Sequence, residues 1–369
     1  MSASPDDAHF MQEAIRLGLL HLGQTSTNPS VGCIIVREGE IVGRGVTAIG
    51  GRPHAEPQAL AEAGDLARGA TAYVTLEPCS HHGKTPPCAE ALIAYGVGRV
   101  VISVTDPDAR VSGRGIAMLR DAGIEVDAGI LEKEGKRSLA AYLMRQTKHR
   151  PYVILKLAVS ADGMIGRRGE GQIAITGPAA RAEVMKLRAQ TDAILVGIGT
   201  AIADDPLLTV RSLGLEGQSP IRIVLDEKLS LPLSSRLVET ARDVPVMVVA
   251  AEPPHFDNSD DAEFLARRAA LDAAGVEVVQ CNPYRPDELL PALASRGISS
   301  LLVEGGAKTA RLFLDGGYVD RILLYQGPGI IGDGGIETPL DRTDIPSGFI
   351  HMGTFIVGDD RLDEYERDV

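Results

Sequence analysis

Short β-branched apolar runs alternate along the whole chain with stretches whose apolar residues recur at helical spacing. That alternation predicts an α/β architecture in which helices cover a sheet. In the first third, residues 8–22 carry the helical pattern, while 31–36 and 41–45 are strand-like runs split by Glu38-Gly39-Glu40, a hairpin turn. Helix is expected again over 55–66, 88–95 and 115–122, and strand over 70–76, 99–104 and 125–128. Residues 145–151 (Arg-Gln-Thr-Lys-His-Arg-Pro) are polar and basic, and Pro151 then opens a new apolar run over 152–159. A domain boundary is placed there, dividing the chain into residues 1–148 and 149–369. Beyond it the rhythm resumes, with helices expected over 179–190, 262–274, 287–295 and 308–314. Strands are expected over 193–196, 221–225, 244–250, 276–279, 300–303, 321–325 and 349–357.

Size agrees with this division, since 369 residues suggest two domains at about 150 residues each. No apolar run approaches the roughly 18 residues of a membrane span, and residues 1–7 lack the basic start and apolar stretch of a secretory signal. A cytoplasmic protein without a membrane partner is expected. The formal net charge of −13 argues against a nucleic-acid partner, whereas a phosphorylated small molecule needs only a few local cations. In a reducing compartment the four cysteines point to metal or core chemistry, not to disulfides. Cys33 lies inside an apolar run and reads as a small buried hydrophobe, as does Cys281.

The other two cysteines belong to a pattern. His54-Ala55-Glu56 is followed 23 residues after Glu56 by Cys79, which opens Cys79-Ser80-His81-His82-Gly83-Lys84-Thr85-Pro86-Pro87-Cys88. One imidazole and two thiolates hold Zn²⁺ with its fourth position open, and the carboxylate two residues past the histidine stays free to carry protons between water and an amine. H-x-E followed by Pro-Cys and a second cysteine is the zinc-deaminase pattern, although eight residues separate the cysteines here where two are usual. Pro57 is tolerated only in a first helical turn, so His54 to Glu56 should lie at a helix start, and Pro86-Pro87 do the same for Cys88. Helix N-termini favour thiolate over thiol. His54, Cys79 and Cys88 are therefore the candidate metal ligands and Glu56 the candidate catalytic acid/base. His81 and His82 are read as loop or pocket residues.

These motifs, together with Thr27-Asn28-Pro29-Ser30-Val31-Gly32, resemble the deaminase half of the bifunctional riboflavin-biosynthesis deaminase/reductases. Lys156-Leu157-Ala158-Val159-Ser160-Ala161-Asp162-Gly163, the run from Asp204 to Arg211, and Val303-Glu304-Gly305-Gly306 resemble the reductase half. The resemblance covers nearly the whole chain. It implies a cytidine-deaminase-like domain followed by a dihydrofolate-reductase-like domain. It also implies release of ammonia from 2,5-diamino-6-ribosylamino-4(3H)-pyrimidinone 5′-phosphate, then NADPH-dependent reduction of the ribosyl group to ribityl. By the same resemblance Asn28 and Lys84 match substrate positions in the deaminase half. Gln172, Arg188, Leu208, Arg211 and Glu304 match substrate positions in the reductase half, with Lys156 as its catalytic residue. Ala158, Ala174, Thr200, Asp204, Gly306, Ala307, Lys308, Thr309, Ala310, Arg311 and Leu312 match cofactor positions.

The residues themselves say less about the second half. A G-x-G-x-x-G fingerprint with a following acid is missing, but Gly305-Gly306 and Gly197-Ile198-Gly199-Thr200 are glycine turns that open helices and let backbone approach a pyrophosphate. Arg188 and Arg211 are local cations suited to a phosphate. Against the resemblance, Glu227 stands where the family pattern implies a Ser or Arg to meet the NADPH 2′-phosphate, with Lys228 beside it. Two other readings remain open. One is a nucleoside or tRNA zinc deaminase with an accessory recognition domain, which the acidic charge disfavours; the other is a nucleotide-binding module with structural zinc, which would need a fourth ligand and leave Glu56 idle. Homo-oligomerisation is left open.

Overall fold

The computed structural model describes residues 5–83, 86–108, 112–251 and 259–368. Two compact units, Met1–His149 and Arg150–Val369, make up the chain. The first contains α1 (Pro5–Gly18), β1 (Gly32–Arg37), β2 (Glu40–Val46), α2 (Ala55–Ala63), β3 (Thr71–Leu76), α3 (Cys88–Ala94), β4 (Arg99–Val104), α4 (Arg114–Asp121), β5 (Glu125–Ala128), α5 (Glu132–Ser138) and α6 (Ala140–Lys148). Its sheet runs β2-β1-β3-β4-β5, with β1 antiparallel to β2 and β3 and the rest parallel. The expected hairpin is present: Glu38 and Gly39 take φ of 53° and 82° between paired Arg37 and Glu40, the two-residue turn whose twist suits the flanking strands.

Both faces of this sheet are covered, so its central strands are apolar throughout. Cys33, Ile35, Val74 and Ile102 face Ala59, Leu60 and Leu92, while Ile34, Tyr73 and Val101 face Met11, Ala14 and Ile15 of α1. Glycine sets the depth of α2. A Cβ on Gly45 would lie 2.0 Å from the Ala55 carbonyl oxygen and one on Gly43 2.2 Å from that of Ala59. The helix that starts at His54 is thus seated directly on the β2 backbone.

The second unit contains β6 (Tyr152–Val159), β7 (Met164–Arg167), α7 (Pro178–Ala189), β8 (Ala193–Gly197), α8 (Ile198–Asp204), β9 (Ile221–Leu225), α9 (Arg236–Glu239), β10 (Val246–Ala250), α10 (Ser259–Ala274), β11 (Glu277–Gln280), α11 (Pro286–Ser295), β12 (Ser300–Glu304), α12 (Ala307–Asp315), β13 (Arg321–Gln326), β14 (Gly335–Glu337), β15 (Phe349–Val357) and β16 (Asp360–Arg367). Nine strands form one sheet in the order β11-β10-β9-β8-β12-β6-β13-β16-β15, and β14 pairs with β7 separately. The sheet is parallel as far as β13 and antiparallel at β16 and β15. Its two faces carry separate apolar layers, one around Leu155, Leu195, Leu301 and Phe313, the other around Ile194, Val224, Val248 and Leu302.

Several elements depart from the sequence reading, among them β7, α5, α9 and β14, which it did not mark. The polar stretch expected at the boundary begins as the last turn of α6, leaving only His149, Arg150 and Pro151 before β6. β16 has no counterpart in that reading, because Asp-Arg-Leu-Asp-Glu-Tyr-Glu-Arg looks like a charged loop. Its charges are paired instead, Arg361 with Asp363 along the strand at 2.7 Å and Glu364 with Arg321 of β13 across the sheet at 2.8 Å. No helix among the described residues is long and apolar enough to cross a membrane.

Candidate active sites

In the first unit the chain brings His54, Cys79 and Cys88 to one point. His54 is the residue before α2, extended at φ −67° and ψ 171°; Cys79 lies in the loop after β3, and Cys88 is the first residue of α3. His54 Nδ1 is 3.7 Å from Cys79 Sγ and 3.3 Å from Cys88 Sγ, and the three donor atoms lie within 4.8 Å of one another. A tetrahedral zinc, at about 2.3 Å from sulfur and 2.0 Å from nitrogen, separates its ligands by roughly 3.5–3.8 Å. The donor set and its spacing therefore fit that ion with one position left open.

The electrostatics fit as well. The Cys79 thiol is pushed down to about 4, chiefly because the Cys88 thiol donates to it, with His54 adding to the effect. Cys88 is correspondingly pushed well up, as the donor in that bond and by burial. His54 is held above its ordinary value by its hydrogen bond to Cys79. Without metal the cluster thus keeps protons that a divalent cation displaces on binding. Glu56 is 4% exposed, and burial lifts its carboxyl above the usual range, helped by the negative Cys79. Its carboxylate is within hydrogen-bonding reach of the Cys88 thiol.

Asn28 lies beside the loop leading to His54: a Cβ on Gly51 would be 2.4 Å from Asn28 Nδ2, and Thr25 Oγ1 donates to the Asn28 carbonyl at 2.7 Å. His81 is half-buried, with Nδ1 buried and without a hydrogen-bond partner among the described residues. His82 is exposed, with Nε2 3.4 Å from Glu90 Oε2. Lys84 lies outside the described residues.

One contributor escaped the sequence reading. Glu77, buried just before Pro78-Cys79, accepts from the amides of Gly115 and Ile116 on Oε1 (3.0 and 3.3 Å) and of Gly113 and Asp106 on Oε2 (3.0 and 3.3 Å). It pins the start of α4 against the cysteine loop. A Cβ on Gly115 would be 2.1 Å from the Pro78 carbonyl oxygen. The only sequence signal was a lone acid at a strand end.

In the second unit the glycine turns meet. A Cβ on Gly306 would lie 2.9 Å from Thr200 Oγ1, one on Gly305 3.1 Å from Thr200 Cγ2, and one on Gly197 2.5 Å from Thr309 Oγ1. Gly305 and Gly306 have φ of 83° and 65°. The three glycines thus let the starts of α8 and α12 close on each other through the Thr200 and Thr309 side chains, which brings two helix N-termini to one place. Asp204 ends α8, and burial raises its pKa. Ala307 is half-buried and Lys308 and Arg311 are exposed. Ala310 is buried in the core, Leu312 packs against it, and Ala158 is half-buried on β6.

Lys156 pairs in register with Glu304 on β12. Glu304 is buried; burial would raise its pKa, but the Arg188 guanidinium outweighs it and the carboxylate is held below its usual range. Arg188 meets it with two parallel bonds, Nε to Oε1 and Nη2 to Oε2, both 2.9 Å, and Nη1 donates to the Thr209 carbonyl at 3.3 Å. Burial lowers the Lys156 ammonium, partly offset by Glu304. Arg188 and Glu304, both expected at the substrate, are thus each other's partners, with two guanidinium N–H groups to spare. Leu208 is buried; Arg211, Gln172 and Ala174 are exposed. Glu227 and Lys228 are exposed just beyond β9, after Asp226, whose carboxylate accepts from the Leu231 amide at 2.8 Å.

A zinc-type deaminase fold followed by a reductase of mixed α/β fold is the class that these two sites and sheets define. Residues 4–104 match the cytidine and deoxycytidylate deaminase zinc-binding region, and residues 151–356 match the RibD C-terminal domain. The riboflavin biosynthesis protein RibD of Aquifex aeolicus is 40% identical over 89% of this chain and 88% of its own length, and that of Escherichia coli K12 39% identical over 88% and 89%. Among solved structures, Acinetobacter baumannii RibD superposes with a TM-score of 0.86 at 36% identity, covering 98% of this chain and 99% of the other. A diaminohydroxyphosphoribosylaminopyrimidine deaminase/5-amino-6-(5-phosphoribosylamino)uracil reductase of Thermotoga maritima superposes at 0.84 and 34%, with the same coverage. The chain belongs to the RibD family, the bifunctional deaminase/reductases of riboflavin biosynthesis.

Proposed function

We propose that residues 1–148 deaminate 2,5-diamino-6-ribosylamino-4(3H)-pyrimidinone 5′-phosphate and that residues 149–369 then reduce its ribosyl group to ribityl with NADPH. The convergence of His54, Cys79 and Cys88 beside the buried Glu56 carries the first assignment. Zinc held by those three residues supplies the Lewis acidity that makes water nucleophilic near neutral pH. Glu56, buried and of raised pKa, takes the proton from the attacking water and returns it to the amine that leaves as ammonia. Asn28 holds the pyrimidine by hydrogen bonds, and Lys84 meets the phosphorylated end.

In the second site, NADPH held at the adjoining starts of α8 and α12 would supply the hydride for C1′. Thr200, Asp204, Ala158, Ala174 and the turn from Gly306 to Leu312 position it, largely through backbone, since Ala310 faces the core. Lys156, its ammonium of lowered pKa beside Glu304, gives a proton to the ribose ring oxygen as the ring opens. Arg211, exposed and local in an acidic protein, meets the substrate phosphate, with Gln172, Leu208 and the Arg188–Glu304 pair shaping the remainder of the pocket. Incubating the purified protein with the diaminopyrimidinone phosphate, with and without NADPH, tests the whole reading. Ammonia and the ribosyl aminouracil are expected without cofactor, and the ribityl product with it. Absence of ammonia would reject the deaminase assignment, and NADPH consumption without ribityl product the reductase one.

A further inference from the structure

The run from Asp204 to Arg211 goes against its own backbone preferences. Asp205 and Leu208 have φ of 37° and 55°, a region that residues with a Cβ seldom adopt. What holds it there is a set of guanidinium groups on alternate carbonyls. Arg236 Nη1 donates to the Asp205 carbonyl (3.4 Å), Arg222 Nη1 to that of Leu207 (3.2 Å) and Arg188 Nη1 to that of Thr209 (3.3 Å). The Arg236 amide also donates to Asp205 Oδ1 at 2.9 Å, and the Val210 amide to Ser219 Oγ at 3.0 Å.

Arg222 is the member of this clamp that packing does not explain. It sits on β9, fully buried, and no carboxylate among the described residues forms an ion pair with it. Its other partners are Thr240 Oγ1 (2.8 Å) and the carbonyls of Thr240 (3.0 Å) and Val244; Nε has none. Burial pulls its pKa down to about 10, which leaves it charged at neutral pH. A buried cation that no carboxylate contacts, with only the exposed Asp243 favouring its charge from a distance, is a costly way to fill a core position that an apolar side chain would fill without that cost. What the guanidinium adds is a bridge between the turn behind α9 and the peptide that precedes Leu208.

We infer that Arg222 is a positioning residue of the reductase, fixing the Leu207 carbonyl so that Leu208 keeps its left-handed conformation and Arg211 is delivered to the substrate phosphate. The inference rests on the reading that Leu208 and Arg211 meet substrate. It is tested in the full-length protein with Arg222→Lys and Arg222→Ala, measuring KM and kcat for the deaminated intermediate, NADPH dissociation by fluorescence, ammonia release and the melting temperature. A lysine ammonium cannot span both sides of the bridge. KM for the intermediate should therefore rise about tenfold, the effect of one lost hydrogen bond to a charged group, while NADPH binding and deamination stay unchanged. Added guanidinium should restore KM in Arg222→Ala and leave Arg222→Lys unaffected. A lowered melting temperature with unchanged KM in both variants would show Arg222 to be structural only and overturn the inference. Arg211→Ala separates the two levels. If it raises KM and the Arg222 variants do not, the inference alone fails; if it too leaves KM unchanged, the substrate reading fails and takes the inference with it.

Discussion

Two buried carboxylates show how environment sets role. Glu304 faces a fixed guanidinium and stays ionised, whereas Glu56 is enclosed beside negative sulfur and holds its proton more tightly. The second is the behaviour wanted of a group that must both take and give a proton. Glu56→Gln keeps size and polarity, so deamination should fall by about 10²-fold or more, with zinc content and reduction of supplied aminouracil phosphate retained. Ammonia release near the parent rate would remove the assignment. Cys79→Ser and Cys88→Ser should each lose the single zinc per chain, measured by metal analysis; full zinc in both would refute the site. These residues were legible in the sequence because metal and proton chemistry demand particular side chains at particular spacings. Glu77 and Arg222 were not, since both act on backbone atoms of segments far away in sequence, and nothing in their own neighbourhoods announces the partner.

At the scale of elements, most strands and helices that the hydrophobic pattern marked are buried on one or both faces, whereas β15, also marked, has no buried residue. β16 was hidden because Glu364 is paired with Arg321 of β13 and Asp363 accepts from Thr354 of β15, partners visible only once the sheet is assembled. α6 was hidden because none of its residues is fully buried. The depth of α2 was equally hidden, although Gly43 and Gly45 were there to be seen. Gly45→Ala would place a methyl 2.0 Å from the Ala55 carbonyl oxygen. Either the helix start moves, taking His54 and Glu56 with it, or the strand gives way, and such overpacking costs about 1–3 kcal/mol. Zinc occupancy and ammonia release should fall together, with reduction of aminouracil phosphate spared. Gly217→Ala, where a Cβ meets nothing within 4 Å, serves as the control that changes neither. A Gly45→Ala enzyme with full zinc and normal deamination would show that the helix seat is not set by this contact.

Over the whole molecule, each unit has its own sheet and its own apolar layers, which argues that the two chemistries can be separated. Where to cut is decided by one ion pair. Arg150 donates to both oxygens of the buried Asp320, at 2.6 and 2.8 Å, and Asp320 also accepts from the Val153 amide at 2.8 Å. A reductase fragment spanning Arg150–Val369 keeps that pair. One beginning at Tyr152 leaves a buried carboxylate without its cation, a loss of about 3–5 kcal/mol. The longer fragment should fold, bind NADPH and reduce the deaminated intermediate with no zinc requirement. The shorter should melt at markedly lower temperature. Equal melting temperatures would show that the Val153 amide alone suffices for Asp320. A longer fragment that folds yet oxidises NADPH only when residues 1–149 are added back would show that the reductase site draws on the first unit, against the domain-wise assignment.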